Sequence, residues 1–354
     1  MIDLQVHTSA SDGNWTLENV LRAALKERIC AIAITDHDCV DAWKPSTIFP
    51  TIKRLAPVDR FETFDDHYII NDLQVIHAEE ITCAYRGFEI HLLGYFLCGS
   101  MYKDSELEMH NRAMIEATKR RAQSMISKLQ QAGYLLEWND VVRPELPQMI
   151  RREFIADKLL ERNRARITAE LKAKAITSNV SPRLVSDNLI GRDSPFYASV
   201  PEQYLAIRGR HPPELKDAVE MVMYCGGVPV ISHPGRYKFL ASSPLADMPL
   251  TGETSKVSLS TPAGKIDREQ LVRDFKQASR GLGGLEVHNR KHVLQQIPIW
   301  RDLARRYELL VTAGTDFHGE RDDYLGALVE NGPAGIEMVE KLALAADHIR
   351  RIVR

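Results

Sequence analysis

Short apolar runs alternate along the chain with longer segments in which apolar residues recur every three or four positions. The first pattern predicts buried strands, and the second predicts helices with one buried face. Strands are predicted up to Val6, through Ile34, and over 73–77, 88–96, 228–232, 284–288 and 309–313. Helices are predicted after a Thr16 cap, over 103–133, 213–224, 267–280 and 291–306, and around 336–342.

Other segments lack this alternation. Residues 43–72 contain Pro45, Pro50 and Pro57, so we expect an irregular excursion there. Residues 140–210 predict further helix and loop without a buried strand. Residues 238–264 are rich in Ser, Thr, Pro and Gly, which predicts a surface loop. No internal repeat is visible.

Alternating strands and helices predict an α/β fold with a parallel sheet covered by helices. Two layouts compete, a closed barrel and an open doubly wound sheet, and both place the functional site at the carboxyl ends of the strands. Candidate ligands follow many separate strands, and such convergence favours the barrel. We expect residues 1–99 and 211–354 to form this barrel domain and residues 100–210 to form a mainly helical insertion.

Charge, apolar runs and cysteine content limit the classes of protein to which the chain can belong. The formal net charge of -2 gives no global basic field for nucleic acid, but it does not argue against a local basic cleft. No apolar run is long enough to span a bilayer, and the N-terminus lacks the pattern of a signal peptide. The five cysteines are scattered without a C-x-x-C pair, which predicts a reducing cytoplasm and neither disulfides nor a cysteine-rich zinc site. We predict a cytoplasmic protein with no membrane contact and no stable protein partner.

Histidines and carboxylates recur where the apolar runs end, as at His7, Asp36-His37-Asp38 and Asp316-Phe317-His318. Imidazole and carboxylate without cysteine suit divalent Zn, Mn or Fe better than a structural zinc site. Two or three such ions could clamp the oxygens of a phosphoryl transfer, with metal-bound hydroxide as the nucleophile. The chain has no G-x-S-x-G, H-E-x-x-H, G-x-G-x-x-G or P-loop motif that would support another chemistry.

Six motifs from residue 3 to residue 318 resemble, in order, those of the PHP (polymerase and histidinol phosphatase) family. They are D-L-Q-V-H-T-S-A-S-D-G, I-T-D-H-D, E-E-I-T, E-I-H-L-L-G-Y, I-S-H-P-G-R-Y and G-T-D-F-H-G. The resemblance implies a distorted (β/α)7 barrel with two or three divalent ions that hydrolyses phosphoesters. It implies that Glu80 bridges metals and that Glu80, Asp316 and His318 are catalytic. The implied metal ligands are His7, Asp12, His37, Glu80, His91, His233, Asp316 and His318.

The insertion resembles that of the subgroup acting on nucleoside 3′,5′-bisphosphates and on short RNA from the 5′ end. This implies a small phosphorylated substrate, a nucleotide or short RNA. Arg121 and Arg152 are the nearest matches to the phosphate-binding residues of that insertion, Arg236 lies beside the H-P-G turn, and His292 matches a frequent family histidine. These four are the substrate-binding candidates, although Phe154 stands where the subgroup has a histidine.

The family usually has His-x-His in its first motif, and the first of this pair is Gln5 here. A neutral amide is a poorer ligand than imidazole, so one metal site is expected to be weak, empty or differently occupied. Two alternatives stay open: a histidinol-phosphate phosphatase, which the larger insertion disfavours, and a PHP-fold binding module with impaired catalysis, which Gln5 favours. His77, His110 and His211 are expected to be ordinary histidines, and Asp36 and Asp38 to support the site rather than bind metal.

Overall fold

A computed structural model describes residues 1–55, 61–142, 150–176, 179–191, 193–237, 240–241, 266–320, 323–326 and 333–353. The chain divides into two compact units, which we call the barrel unit (Met1–His110 and Pro212–Arg354) and the helical unit (Asn111–His211). Among the described helices, none combines the length and the apolar character needed to cross a membrane.

The strands of the barrel unit are mostly short, and a small separate pair lies outside the main sheet. In chain order they are β1 (Ile2–Val6), β2 (Ala31–Ile34), β3 (Phe61–Thr63), β4 (His67–Ile70), β5 (Leu73–Tyr85), β6 (Phe88–Tyr95), β7 (Val228–Ile231), β8 (Leu240–Ala241), β9 (Ile266–Asp267), β10 (Gly284–Asn289) and β11 (Leu310–Gly314). The main sheet has the order β1-β2-β5-β6-β7-β10-β11. Several of these strands are buried along their whole length, as expected where both faces of a sheet are covered.

Twelve α-helices occur in the described chain. They are α1 (Leu17–Lys26), α2 (Pro45–Arg54), α3 (Gly99–Tyr102), α4 (Glu106–Gln131), α5 (Trp138–Val141), α6 (Arg152–Ala173), α7 (Pro182–Asn188), α8 (Val200–Arg208), α9 (Leu215–Tyr224), α10 (Arg268–Ala278), α11 (Gln296–Arg306) and α12 (Pro333–Val353). Seven of them, α3 to α9, follow one another without an intervening strand in the described residues. The Thr16 side chain caps α1 by accepting from the Asn19 N–H, as predicted.

The two ends of the main sheet meet and nearly close the barrel. Val6, the last residue of β1, pairs with Phe317 just beyond β11. The His7 N–H donates to the Phe317 carbonyl at 2.9 Å, and the Phe317 N–H donates to the Gln5 carbonyl at 3.2 Å. Seven strands therefore form a nearly closed barrel, which confirms the predicted α/β barrel and shows that the open-sheet alternative is wrong.

One part of the barrel departs from the parallel pattern. β6 pairs antiparallel with both β5 and β7, whereas β1–β2, β2–β5, β7–β10 and β10–β11 are parallel. The β5–β6 connection is the tight turn Arg86-Gly87, where both residues have positive φ (51° and 81°), the conformation that joins hairpin strands. β5 continues to Tyr85, well past the predicted end at residue 77, so Glu80 lies inside a strand.

The prediction for residues 43–72 was wrong in the described part of that segment. It contains α2 and the antiparallel hairpin β3–β4, and β4 pairs with β5. Pro45 occupies the first turn of α2, where a missing N–H costs nothing. Ile48 and Ile52 supply the buried face that the prolines obscured. Pro57 lies outside the described residues.

Most of the predicted loop at 238–264 also lies outside the described residues. The part that is described, β8, pairs in parallel with β9, so a short strand stands where the sequence predicted only loop. The helical unit has its own apolar core, centred on α4 and α6 and built from residues such as Met125, Leu129, Ile155 and Leu159. No strand occurs in its described residues, in agreement with the sequence.

Candidate metal centre

The eight side chains predicted to bind metal converge in the barrel unit. His7 follows β1, Glu80 lies in β5, and His91 lies in the neighbouring β6. His233 follows β7, and Asp316 with His318 follows β11. Seven of the eight, all except His233, form three overlapping groups, each with all ligand atoms within 4.8 Å of one another: His7, Asp12, His37 and His318; His37, Glu80 and His91; and His7, Glu80 and Asp316.

Glu80 is the central carboxylate. It is fully buried, and its Oε1 lies 2.9 Å from both His91 Nδ1 and His233 Nε2. Its Oε2 lies 3.1 Å from His7 Nε2. Burial alone would raise the pKa of Glu80, but the neighbouring imidazoles, His37 and His91 first among them, hold the pKa well below its usual range. Glu80 is therefore an anion with both oxygens directed at imidazoles, as a metal-bridging carboxylate requires.

Two further carboxylates complete the groups. Asp12 Oδ1 lies 3.1 Å from His7 Nδ1, and its Oδ2 lies 3.1 Å from His318 Nε2 and 3.4 Å from His37 Nε2. Asp316 Oδ1 lies 3.2 Å from His7 Nε2. His7 thus stands between all three carboxylates, and its ring stacks on those of His37 and His318 at centroid distances of 4.8 and 4.4 Å.

The hydrogen-bond geometry of His7 fits a metal better than a proton. Both ring nitrogens are buried, yet neither forms a hydrogen bond to the described residues despite the close carboxylate oxygens. Burial lowers the pKa of His7, but Asp316 and Glu80 outweigh burial and raise it to about 9. An imidazole surrounded by anions without aligned hydrogen bonds is the arrangement in which a shared cation fits. The donor set of imidazole nitrogen and carboxylate oxygen suits a divalent ion.

His318 is prepared as a neutral ligand. Its Nδ1 lies 2.8 Å from the Asp316 carbonyl oxygen, so Nδ1 must carry the proton and Nε2 offers its lone pair toward Asp12. Burial and the nearby His7 lower the pKa of His318 to about 3. The ring therefore stays uncharged at neutral pH.

Two of the predicted ligands sit on strained backbone. His233 has φ of 28° and Asp316 has φ of 54°, in the left-handed region that side chains with a Cβ rarely adopt. The turn after His233 is tight as well, because a Cβ on Gly235 would lie 2.4 Å from Gln296 Oε1. Such strain persists where the surrounding structure enforces it, and it is common at functional sites.

Asp36 and Asp38 form hydrogen bonds to segments that carry the candidate ligands. Asp36 accepts from the Thr8 N–H and hydroxyl at 2.8 and 2.7 Å and from the Ser11 hydroxyl at 2.6 Å, which fixes the loop between His7 and Asp12. Asp38 accepts from the Thr82 N–H at 2.8 Å. His110 Nε2 lies 3.1 Å from Asp38 Oδ1, so this buried histidine has a supporting role that the sequence did not reveal.

Arg236 and His292, the two substrate-binding candidates in the barrel unit, have different surroundings. Arg236 Nη1 lies 3.1 Å from Asp316 Oδ2, and the Arg236 side chain is partly exposed. His292 meets backbone on both sides: the Gly235 N–H donates to its Nε2 at 3.1 Å, and its Nδ1 lies 3.1 Å from the Val287 carbonyl. These contacts indicate that His292 holds the H-P-G turn. They give less support to the predicted contact between His292 and substrate.

The other two candidates lie in the helical unit. Arg121 donates from Nη2 to the Ile150 carbonyl at 2.6 Å, and its Nε is buried without a hydrogen-bond partner among the described residues. Arg152 donates from Nε to Ser186 Oγ at 2.8 Å, with Asp187 3.8 Å from its Nη2. Both guanidinium groups are thus anchored on one side.

Residues that the sequence did not single out also reach the site. Lys291 Nζ lies 2.6 Å from Asp316 Oδ2. Glu286 is fully buried and accepts from the His233 N–H at 2.7 Å; burial holds its pKa well above the usual range. Asn289 donates to Gln5 and Glu286, both buried. Their position at the end of a predicted strand was a usable signal, but only His292 was taken from that segment.

Comparison with curated proteins finds relatives that span most of the chain. A 3′,5′-nucleoside bisphosphate phosphatase of Chromobacterium violaceum is 24% identical over 318 residues, 90% of this chain and 87% of that protein. A phosphoribosyl 1,2-cyclic phosphate 1,2-diphosphodiesterase of Eggerthella lenta is 24% identical over 335 residues, 90% of this chain and 94% of that protein. A 5′-3′ exoribonuclease Rnm of Salmonella typhimurium is 25% identical over 246 residues, 68% of this chain and 67% of that protein. No family model matches the chain.

Solved structures share the fold. A Bifidobacterium adolescentis protein, named for a proposed metal-dependent phosphoesterase activity, superposes with a TM-score of 0.63 at 22% identity, covering 97% of this chain and 96% of that one. An amidohydrolase of Chromobacterium violaceum with bound sulfate and no metal also superposes with a TM-score of 0.63 at 22% identity, covering 96% of each chain. The solved structures show the fold, and the curated relatives support the class predicted from the motifs, a PHP-type phosphoesterase.

Proposed function

We propose that this chain is a metal-dependent phosphoesterase that acts on a nucleotide-like phosphomonoester, such as a nucleoside 3′,5′-bisphosphate, or on RNA from its 5′ end. The observation that carries the proposal is the buried Glu80, whose two oxygens face three imidazoles: His91 in β6, His7 after β1 and His233 after β7. A buried carboxylate in this setting costs free energy unless cations compensate it. The curated relatives support phosphoester substrates by their names.

The residues that would hold the ions are the three overlapping groups described above. Two or three divalent ions, of Mn, Zn or Fe, would supply positive charge for the phosphoryl oxygens and lower the pKa of a water molecule that serves as nucleophile. Glu80 and Asp12 contribute anionic oxygens, and His318 contributes a neutral nitrogen whose tautomer the Asp316 carbonyl fixes. Arg236 and Lys291, both partly exposed beside Asp316, can neutralise substrate oxygens that point out of the barrel.

We assign Arg121 and Arg152 to binding of a second phosphate or of a nucleic-acid backbone. The Nε–H of Arg121 is a buried donor without a hydrogen-bond partner among the described residues, and an anion would satisfy it. Ser186 anchors Arg152, which lowers the entropy lost when its guanidinium binds. A bisphosphate or a short RNA offers the additional phosphate that such residues need.

A substrate panel tests this proposal. Protein stripped with a chelator and reloaded with Mn, Zn or Fe is assayed against nucleoside 3′,5′-bisphosphates, mononucleotides, histidinol phosphate, a 1,2-cyclic phosphate and 5′-phosphorylated oligonucleotides. We expect phosphate release to depend on added metal and to be fastest with the bisphosphate or the oligonucleotide. Preference for histidinol phosphate or the cyclic phosphate would contradict the substrate proposal, and no turnover with any metal would favour the impaired binding module.

Replacing Arg152 with Ala tests the phosphate role of the helical unit. Because the change removes a binding group and not the nucleophile, we expect KM to rise about tenfold with kcat little changed. Steady-state kinetics with the best substrate of the panel measure both constants. Arg162→Ala is the matched control, since Arg162 lies on the same helix and is paired with Asp140 at the surface. Equal kinetics for the two variants would place Arg152 on a solvated helix face.

A further inference from the structure

Gln5 presents hydrogen-bond donors, and not a ligand oxygen, to the metal centre. Its Nε2 donates to Glu80 Oε2 and to Ser232 Oγ, both at 2.9 Å, and its Oε1 accepts from Asn289 Nδ2 at 2.9 Å. The Gln5 side chain is fully buried. The position where the PHP family has an imidazole ligand is therefore occupied by an amide whose oxygen points away from Glu80.

A backbone group fixes this orientation, so a flipped amide is excluded. The Lys291 N–H donates to Asn289 Oδ1 at 2.8 Å, which forces Asn289 Nδ2 toward Gln5 and Glu286. Because that nitrogen can only donate, Gln5 must turn its oxygen toward Asn289 and its nitrogen toward Glu80. A flip of Gln5 would set its oxygen against the Glu80 carboxylate and its nitrogen against another donor.

Cationic side chains of the protein already compensate the same group of carboxylates. Lys291 Nζ lies 2.6 Å and Arg236 Nη1 lies 3.1 Å from Asp316 Oδ2. Gln5 donates to Glu80 Oε2, the oxygen that also faces His7. Two protein cations thus face Asp316 and an N–H donor faces Glu80 Oε2, so a divalent ion between these carboxylates would meet two positive charges and that donor.

We propose that the His7–Glu80–Asp316 group of this chain does not retain a divalent ion, and that Gln5, Lys291 and Arg236 take the place of that ion. The chain would then bind two ions, one in the group His7, Asp12, His37 and His318 and one in the group His37, Glu80 and His91. This inference rests on the proposed metal-dependent function and specifies its cofactor. It also gives Gln5 a positioning role, because its N–H holds the Glu80 oxygen that a third ion would otherwise hold.

Metal counting tests the proposal without an activity assay. The full chain is loaded with excess Mn²⁺, freed of unbound ion by gel filtration, and analysed by mass spectrometry for metal and by calorimetric titration. We expect two equivalents for wild type, two for Asp316→Asn, and a loss of one equivalent for Asp12→Asn. Gln5→His should add a third equivalent or lower the Kd of a third ion at least about tenfold, because imidazole replaces the amide donor.

Lys291→Gln provides an independent variant, because Lys291 is partly exposed and its replacement does not disturb the buried amide network. It should also strengthen binding of a third ion. Gln131→His, at an exposed position of α4, controls for a histidine that binds Mn²⁺ adventitiously. Three equivalents in wild type, or no gain in both Gln5→His and Lys291→Gln, would overturn the proposal. No bound metal in wild type would instead overturn the proposed function itself.

Discussion

Glu80→Gln is expected to abolish hydrolysis and to reduce bound metal at the same time. The side chain is fully buried, and its oxygens lie within 3.1 Å of nitrogens of His7, His91 and His233. Glutamine keeps the shape but loses the charge, and one oxygen becomes an NH2 group that cannot bind metal. Loss of groups that only support a ligand typically costs 10–100-fold, so we expect a loss of more than about 100-fold here.

Metal content by mass spectrometry and turnover of the best phosphoester substrate should fall together in this variant. Glu89→Gln is the matched control, since Glu89 lies on β6 with partial exposure and takes no part in the three ligand groups. The melting temperature of both variants shows whether the fold persists. Full metal content with full turnover in Glu80→Gln would remove Glu80 from the centre of the mechanism.

Local patterning predicted that several of the candidate ligands would lie at one rim of the barrel. A residue at the carboxyl end of a buried strand must lie at one rim of the barrel, and the apolar runs before His7, His37, His233 and Asp316 show this in the sequence. The fold class followed from the same alternation. Patterning could not reveal that β5 would continue through Glu80, since a strand that passes through a buried polar site no longer shows a continuous apolar run.

The contacts among buried polar residues could not be predicted from the sequence. The orientation of the Gln5 amide depends on Asn289, which lies 284 positions away in the chain. The pairing of Lys291 with Asp316 and of His110 with Asp38 likewise requires the closed barrel before the partners meet. The helix α2 was missed for a different reason, because its prolines mark the first turn and an interior position instead of ending the helix. Local rules predicted where several candidate residues would lie, and only tertiary closure determined what they contact.

Barrel closure itself depends on Gly314, the last residue of β11, beside the site. A Cβ there would lie 2.5 Å from Gln5 Cβ and 2.7 Å from both Gln5 N and Glu286 Oε1. Two of these three atoms, the backbone N and the Cβ of Gln5, cannot move without moving the main chain. β1 and β11 would therefore have to separate. Because closely packed barrels relax only partly, even one added methyl group is costly at this position.

Gly314→Ala is therefore expected to lose about 2–3 kcal/mol of stability, which corresponds to a melting temperature lower by about 5–10 °C for a domain of this size. Since the displaced residue is Gln5, the variant should also bind metal less tightly than wild type. Thermal unfolding followed by circular dichroism, together with Mn²⁺ titration, measures both effects. Gly99→Ala is the control, because a Cβ at Gly99 meets its nearest atom, Asp65 Oδ1, at an ordinary 3.4 Å. If Gly314→Ala melted like Gly99→Ala, β1 and β11 would not be in the close contact on which the geometry of the whole centre depends.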